Sequence, residues 1–141
     1  MFFKKMGAFF TLIFTSLNLY AAFCPPASVF SHEQGKPWQI TVKTKLEGWE
    51  VFLDDEQNSS LTRVPLNTLL TVNLTLYLYT SVASCFYHLY SDKPGYVAIA
   101  NRFHHPDMTR ISEPPFEKYS ETTYQCKTIA SASNVCTWYW K

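Results

Sequence analysis

Two lysines, Lys4 and Lys5, stand before a mainly apolar run from Met6 to Leu19, and that run gives way to Tyr20-Ala21-Ala22-Phe23-Cys24. Charge, then apolar residues, then small ones is the order of a secretory leader. The leader limits the fold more than any other feature, because an exported chain folds in an oxidising space where its four cysteines can pair. A membrane-spanning helix wants roughly 20 apolar residues. This run is shorter and carries Thr11, Thr15, Ser16 and Asn18, so the reading is cleavage rather than anchoring and no stable membrane insertion afterwards. A cut after Ala22 leaves the bulky Tyr20 at the position where a small residue is preferred, and a cut after Ala21 leaves Leu19 there. The expected organisation is a leader over residues 1–22 and a single domain over 23–141. Phe23 ahead of Cys24 argues against lipid attachment, which needs a small residue at that place, so Cys24 reads as half of a disulfide.

Losing Lys4 and Lys5 lowers the twelve Lys and Arg to ten, against eleven Asp and Glu. The exported chain is then almost neutral, without the basic field that nucleic acid or an anionic membrane would require. The 118 of 141 residues after Phe23 suffice for one domain with its own core. Nine Tyr, eleven Phe and four Trp, with abundant Thr, favour strands over helices.

Period-two alternation places those strands. Trp38 to Leu46 sets Trp38, Ile40 and Val42 on one face and Gln39, Thr41 and Lys43 on the other, with Gly48 as the break and Trp49 to Leu53 as a second short strand. Leu69 to Tyr79 is the clearest case, with Leu70, Val72, Leu74, Leu76 and Leu78 as its core row and Thr71, Asn73, Thr75, Tyr77 and Tyr79 opposite. Val82 to Tyr90 follows, with Ala83, Cys85, Tyr87 and Leu89 facing inward and Ser84, Phe86, His88 and Tyr90 facing out. The turn Asp92-Lys93-Pro94-Gly95 leads into Tyr96 to Phe103, which completes an antiparallel meander over residues 69–103. His104 to Glu117 carries three prolines and no period, so it reads as a long loop of the kind that often bears function. Tyr119 to Ile129 and Val135 to Trp140 read as a terminal hairpin about Ser131-Ala132-Ser133-Asn134. The fold class is mainly β, a small antiparallel β-sandwich or barrel-like domain with two disulfides.

Cys24, Cys85, Cys126 and Cys136 allow three pairings, and spacing does not choose among them. If the terminal hairpin forms, Cys126 and Cys136 come opposite one another and Cys24 is left for Cys85. The opposite solution, Cys24 with Cys136 and Cys85 with Cys126, would staple the two ends of the chain together and stays open. A structural zinc site has no Cys-x-x-Cys pair to build on, so neither metal nor cofactor is expected.

His104-His105-Pro106-Asp107 is the densest group of possible ligands, but neighbouring residues of an extended chain point to opposite sides. His88 belongs to a strand face shared with Phe86 and Tyr90. A hydrolase would need a nucleophile beside a base, yet the chain has no Gly-x-Ser-x-Gly, no His-Glu-x-x-His and no cysteine outside the expected disulfides. No catalytic residue is therefore assigned, and a small secreted hydrolase using these histidines is an alternative without a constellation of residues. The aromatic residues Tyr77, Tyr79, Phe86, Tyr90, Trp138 and Trp140 are the candidate binding surface. Exposed aromatics suit protein docking, with sugar stacking in a carbohydrate-binding module as the alternative.

The layout of a leader followed by Cys24-Pro25, then Gly48-Trp49, the strand Cys85-Phe86-Tyr87, and Cys126 and Cys136 near the end resembles small exported domains of unknown function from intracellular bacterial pathogens. These include the EirA-type proteins associated with the Dot/Icm type IVB secretion system. The resemblance covers most of the exported chain through short motifs, and departs from the pattern at Thr137-Trp138-Tyr139-Trp140, where a shorter aromatic ending belongs. It implies a periplasmic β domain that supports a secretion machine or virulence rather than catalysing a reaction, with the four cysteines as its only transferable positions. The expected location is the periplasm or the extracellular medium.

Overall fold

Strict alternation at the centre of the chain produces the sheet that organises everything else. A computed structural model describes residues 20–33, 35–40, 48–54, 61–89, 95–103, 106 and 108–140. In chain order the strands are β1 (Tyr20–Ala22), β2 (Phe30–Ser31), β3 (Gln39–Ile40), β4 (Glu50–Leu53), β5 (Leu69–Leu76), β6 (Ser81–His88), β7 (Tyr96–Phe103), β8 (Glu117–Lys118), β9 (Thr123–Ile129) and β10 (Trp138–Trp140). Short 3-10 turns cover Ala27–Val29 and Ala130–Cys136, and one helical turn, α1, covers Met108–Ile111. Strands β4 to β9 form one six-stranded antiparallel sheet in the order β4-β7-β6-β5-β9-β8, while β1 pairs with β10 and β2 with β3 in separate two-stranded ladders.

The expected meander is present. Strands β5, β6 and β7 pair in continuous register, with Val72 opposite Cys85 and Cys85 opposite Ile99. Their inward rows, Leu70, Val72 and Leu74, then Ala83, Cys85 and Tyr87, then Val97, Ile99 and Phe103, are all buried. The layer that covers this inner face is mostly irregular. It consists of Cys24, Ala27, Val29 and Phe30, with Trp38, Ile111 of α1, Phe116, and Trp138 of β10, all members of the same core cluster. The result is a mainly β, antiparallel domain held by two disulfides, with one regular sheet and a second layer made of segments.

Both disulfides belong to that core. Cys24–Cys85 ties the start of the domain to the middle of β6, with Cα atoms 6.0 Å apart, and Cys126–Cys136 joins β9 to the end of the 3-10 turn that follows it, with Cα atoms 5.8 Å apart. Beside the first, the Tyr87 hydroxyl donates a hydrogen bond to the buried Pro25 carbonyl, and Phe30 packs edge-on against the Tyr87 ring at 4.7 Å. A covalent bond, a hydrogen bond and an aromatic contact thus fasten one short segment to one strand. Burial pushes the Tyr87 phenol well above its ordinary value, which favours the protonated, donating hydroxyl.

Four expectations are corrected. The terminal hairpin does not form. After β9 the chain winds through the 3-10 turn Ala130–Cys136, and β10 pairs with β1, Tyr20 opposite Trp140 and Ala22 opposite Trp138. Cys126 and Cys136 therefore meet across a compact turn rather than across a ladder. Strand β5 stops at Leu76, because Tyr77 N–H turns back to the Thr80 carbonyl. Leu78 is accordingly 85 % exposed rather than part of the core row. The segment after Phe103 is not wholly irregular, since α1 sets Ile111 into the core and Phe116 follows it. Trp138, expected on a binding surface, is 2 % exposed and packs edge-on against Trp49 at 6.1 Å. Of the strand expected from Trp38, β3 covers Gln39–Ile40, and residues 41–47 lie outside the described residues.

Gly48 prepares the site described next. Its φ of 84° is one that other residues rarely adopt, and a Cβ there would stand 2.8 Å from the Asn101 side chain. The chain can turn at Gly48 beside β7, which lets Trp49 pack inward and β4 start its pairing at Glu50 opposite Ala100.

Candidate functional site

The outer face of the six-stranded sheet can be laid out from the strand register. One row across it is Ile129, Leu69, His88, Tyr96, since Leu69 stands opposite both Ile129 and His88, and His88 opposite Tyr96. The next row is Lys127, Thr71, Phe86, Ala98, with Leu53 of β4 beyond Ala98. Two further rows, Gln125-Asn73-Ser84-Ala100-Glu50 and Thr123-Thr75-Val82-Arg102, are mostly polar. One face therefore has an apolar half and a polar half.

Side-chain contacts show that the apolar half is structured. Phe86 is its centre, meeting Phe52 at 5.8 Å and Tyr96 at 6.0 Å, each edge-to-face. Ala98 lies beneath them, fully buried although it sits on the outer face. At the rim Phe52 is 52 % exposed, Leu69 47 % and Ile129 44 %. A β-bulge between Val51 and Leu53 accompanies Phe52 at this edge. Exposed apolar groups gathered in this way on a small domain mark an interaction surface more often than a chance distribution does.

His88 joins the two rows. Its Nε2 is 3.1 Å from the Thr71 hydroxyl, its ring lies 5.9 Å from Tyr96, and its backbone carbonyl accepts a hydrogen bond from the Thr68 hydroxyl. Burial first, and the neighbouring Lys127 charge second, hold its imidazole below the ordinary histidine value. The neutral ring is thus favoured, in keeping with its apolar row. In the polar half, Gln125 Nε2 donates to Asn73 Oδ1 at 3.0 Å, and the Thr75 and Thr123 hydroxyls approach to 3.3 Å. Those side chains are occupied in joining β5 to β9.

The sequence-derived surface is only partly gathered here. Phe86 is at its centre. Tyr77 and Tyr79 stand instead on the exposed β5–β6 turn, at the end of the sheet away from the Leu69 row. Trp140 is half-buried under Tyr20 in the β1–β10 ladder, with ring centroids 5.7 Å apart, and Trp138 is in the core. Tyr90, His104 and His105 lie outside the described residues. Sequence reasoning missed Phe52, Leu53, Leu69, Tyr96 and Ile129. The legible signal for β4 was Val51-Phe52-Leu53, three consecutive apolar residues in a strand too short to be buried on both faces.

A concavity of about 590 Å³ runs beside Phe30, His32, Arg63 and Leu66. His32 is one of its lining residues. The imidazole stacks on Trp38 at 4.8 Å, its Nδ1 is held at 3.2 Å by the Leu61 carbonyl, and its Nε2 is buried. Among the described residues no group of three or more His, Cys, Asp or Glu side chains gathers as a metal site would require. No family model, curated protein or solved structure matches this chain.

Proposed function

We propose that this chain is an exported, non-enzymatic domain that binds another protein through the apolar half of its outer face. The observation that carries the reading is the cluster of Phe52, Leu53, Leu69 and Ile129 around Phe86 and Tyr96, on a sheet face that needs no such residues for its own core. Half-buried aromatic residues beside exposed apolar ones are the composition of a protein interface centre. Ring orientation favours protein over sugar. Sugar stacking uses rings that share a plane, whereas Phe52 and Phe86 are inclined at 86° and Phe86 and Tyr96 at 71°. Two disulfides are compatible with an oxidising compartment, periplasmic or extracellular, and the EirA-type resemblance points toward a secretion-associated accessory role.

The test is a double substitution, Leu69→Lys with Ile129→Lys. Both side chains are exposed, so folding and the two disulfides should survive while co-purification of the partner from the exporting cell is lost. Undiminished recovery of the same partner would contradict this placement of the surface.

A further inference from the structure

Residues 27–32 and 62–66 form the two walls of the concavity of about 590 Å³, in the layer over the sheet's inner face. Both walls are pinned by contacts that need no ligand. The first is fixed through Cys24–Cys85 and through Phe30 against Tyr87, and it meets the second where the His32 backbone N–H donates to the Thr62 carbonyl at 3.1 Å. The second wall is held in turn by the Ser131 N–H, which donates to the Leu66 carbonyl at 2.8 Å. The hollow is therefore preformed, and its volume falls in the range of roughly 300–1,000 Å³ that suits a small organic molecule rather than a folded protein.

We propose that this groove binds a small organic acid with an apolar body, its carboxylate held by Arg63 and its hydrocarbon part laid on Phe30 and Val64. Phe30 and Val64 are buried in the floor of the groove, while Leu66 stands exposed at its rim. Arg63 is the only lysine or arginine of the lining, and no acidic side chain accompanies it there. Among the described residues it has no ion-pair partner. A guanidinium so placed offers a planar fork of donors that matches a carboxylate through two parallel hydrogen bonds. The apolar floor beside it selects acids with a hydrophobic body over small inorganic anions. The site shares no residue with the outer-face patch of the proposed function and stands or falls apart from it.

The experiment uses the protein with both disulfides intact and octanoate alone as the probe, followed by tryptophan fluorescence and by thermal unfolding. Trp38 stacks on His32, a wall of the groove, so it reports occupancy without a label. Saturable binding is expected, with a melting temperature that climbs with octanoate concentration. Affinity should fall roughly tenfold for octanamide, which keeps the chain and lacks the charge, and by a similar factor for octanoate on Arg63→Gln. Arg63 is exposed, so that variant keeps the fold, and the octanamide arm leaves the protein untouched altogether. Absence of saturable octanoate binding overturns the site. So does binding that is indifferent to both the amide and Arg63→Gln, which would mark adsorption on apolar surface elsewhere, such as the patch around Phe86.

Discussion

Tyr87 shows how much one side chain can fix in a domain of this size. It lies in the inward row of β6, two residues from Cys85, and its hydroxyl is the partner of the buried Pro25 carbonyl. Tyr87→Phe keeps the ring contact with Phe30 and strands that carbonyl, so a loss of about 1–3 kcal/mol is expected, read as a lower urea midpoint at unchanged slope. His88 gives the corresponding pH dependence on the other face. Its imidazole is held below the ordinary histidine value, so as pH falls the unfolded chain takes up a proton before the folded one. Stability should therefore decline from about pH 6.5 downward and level off once the folded imidazole has also protonated. Urea midpoints at neutral and mildly acid pH should differ less in His88→Gln than in the parent.

Among the elements, the central meander was legible in the sequence and the two ends were not. Leu70-Val72-Leu74 and Ala83-Cys85-Tyr87 alternate cleanly because one face is core and the other is not, and β7 spans the residues its pattern indicated. The last strand misled because Ser131-Ala132-Ser133-Asn134 has the composition of a hairpin turn, whereas those small residues wind into a 3-10 helix that packs Ala130 and Ser133 inward. The strand after it was then free to pair with the segment before Cys24, a contact of long sequence separation that no local pattern announces. The disulfide pairing expected from a hairpin, Cys126 with Cys136, is nevertheless the one present, because the 3-10 turn carries Cys136 back beside Cys126 of β9. The outer apolar patch was hidden for a related reason. Leu69, His88 and Tyr96 become one row only once three strands are in register. Loop length ranks the two disulfides. Cys24–Cys85 spans 61 residues and Cys126–Cys136 spans 10, so chain entropy assigns about 4 kcal/mol to the first and about 3 kcal/mol to the second. Replacing each pair by alanine should lower the denaturation midpoint in that order.

At the scale of the whole molecule, one sheet does two jobs. Its inner face carries the core and both disulfides, and its outer face is divided between a polar half that cross-links strands and an apolar half that is left open. Among the described residues the irregular second layer lies over the inner face, while Phe52, Leu69 and Ile129 of the outer face are exposed. The measurement that tests this most directly is site-specific photo-crosslinking in the exporting cell, with the reactive group placed in turn at Leu69, Phe52, Thr123 and Arg102. All four lie on the outer face, the first two in its apolar half and the last two in its polar half. A single protein adduct of the same mass from Leu69 and Phe52, with none from Thr123 or Arg102, is the predicted result; adducts independent of position, or none from the apolar pair, would contradict it.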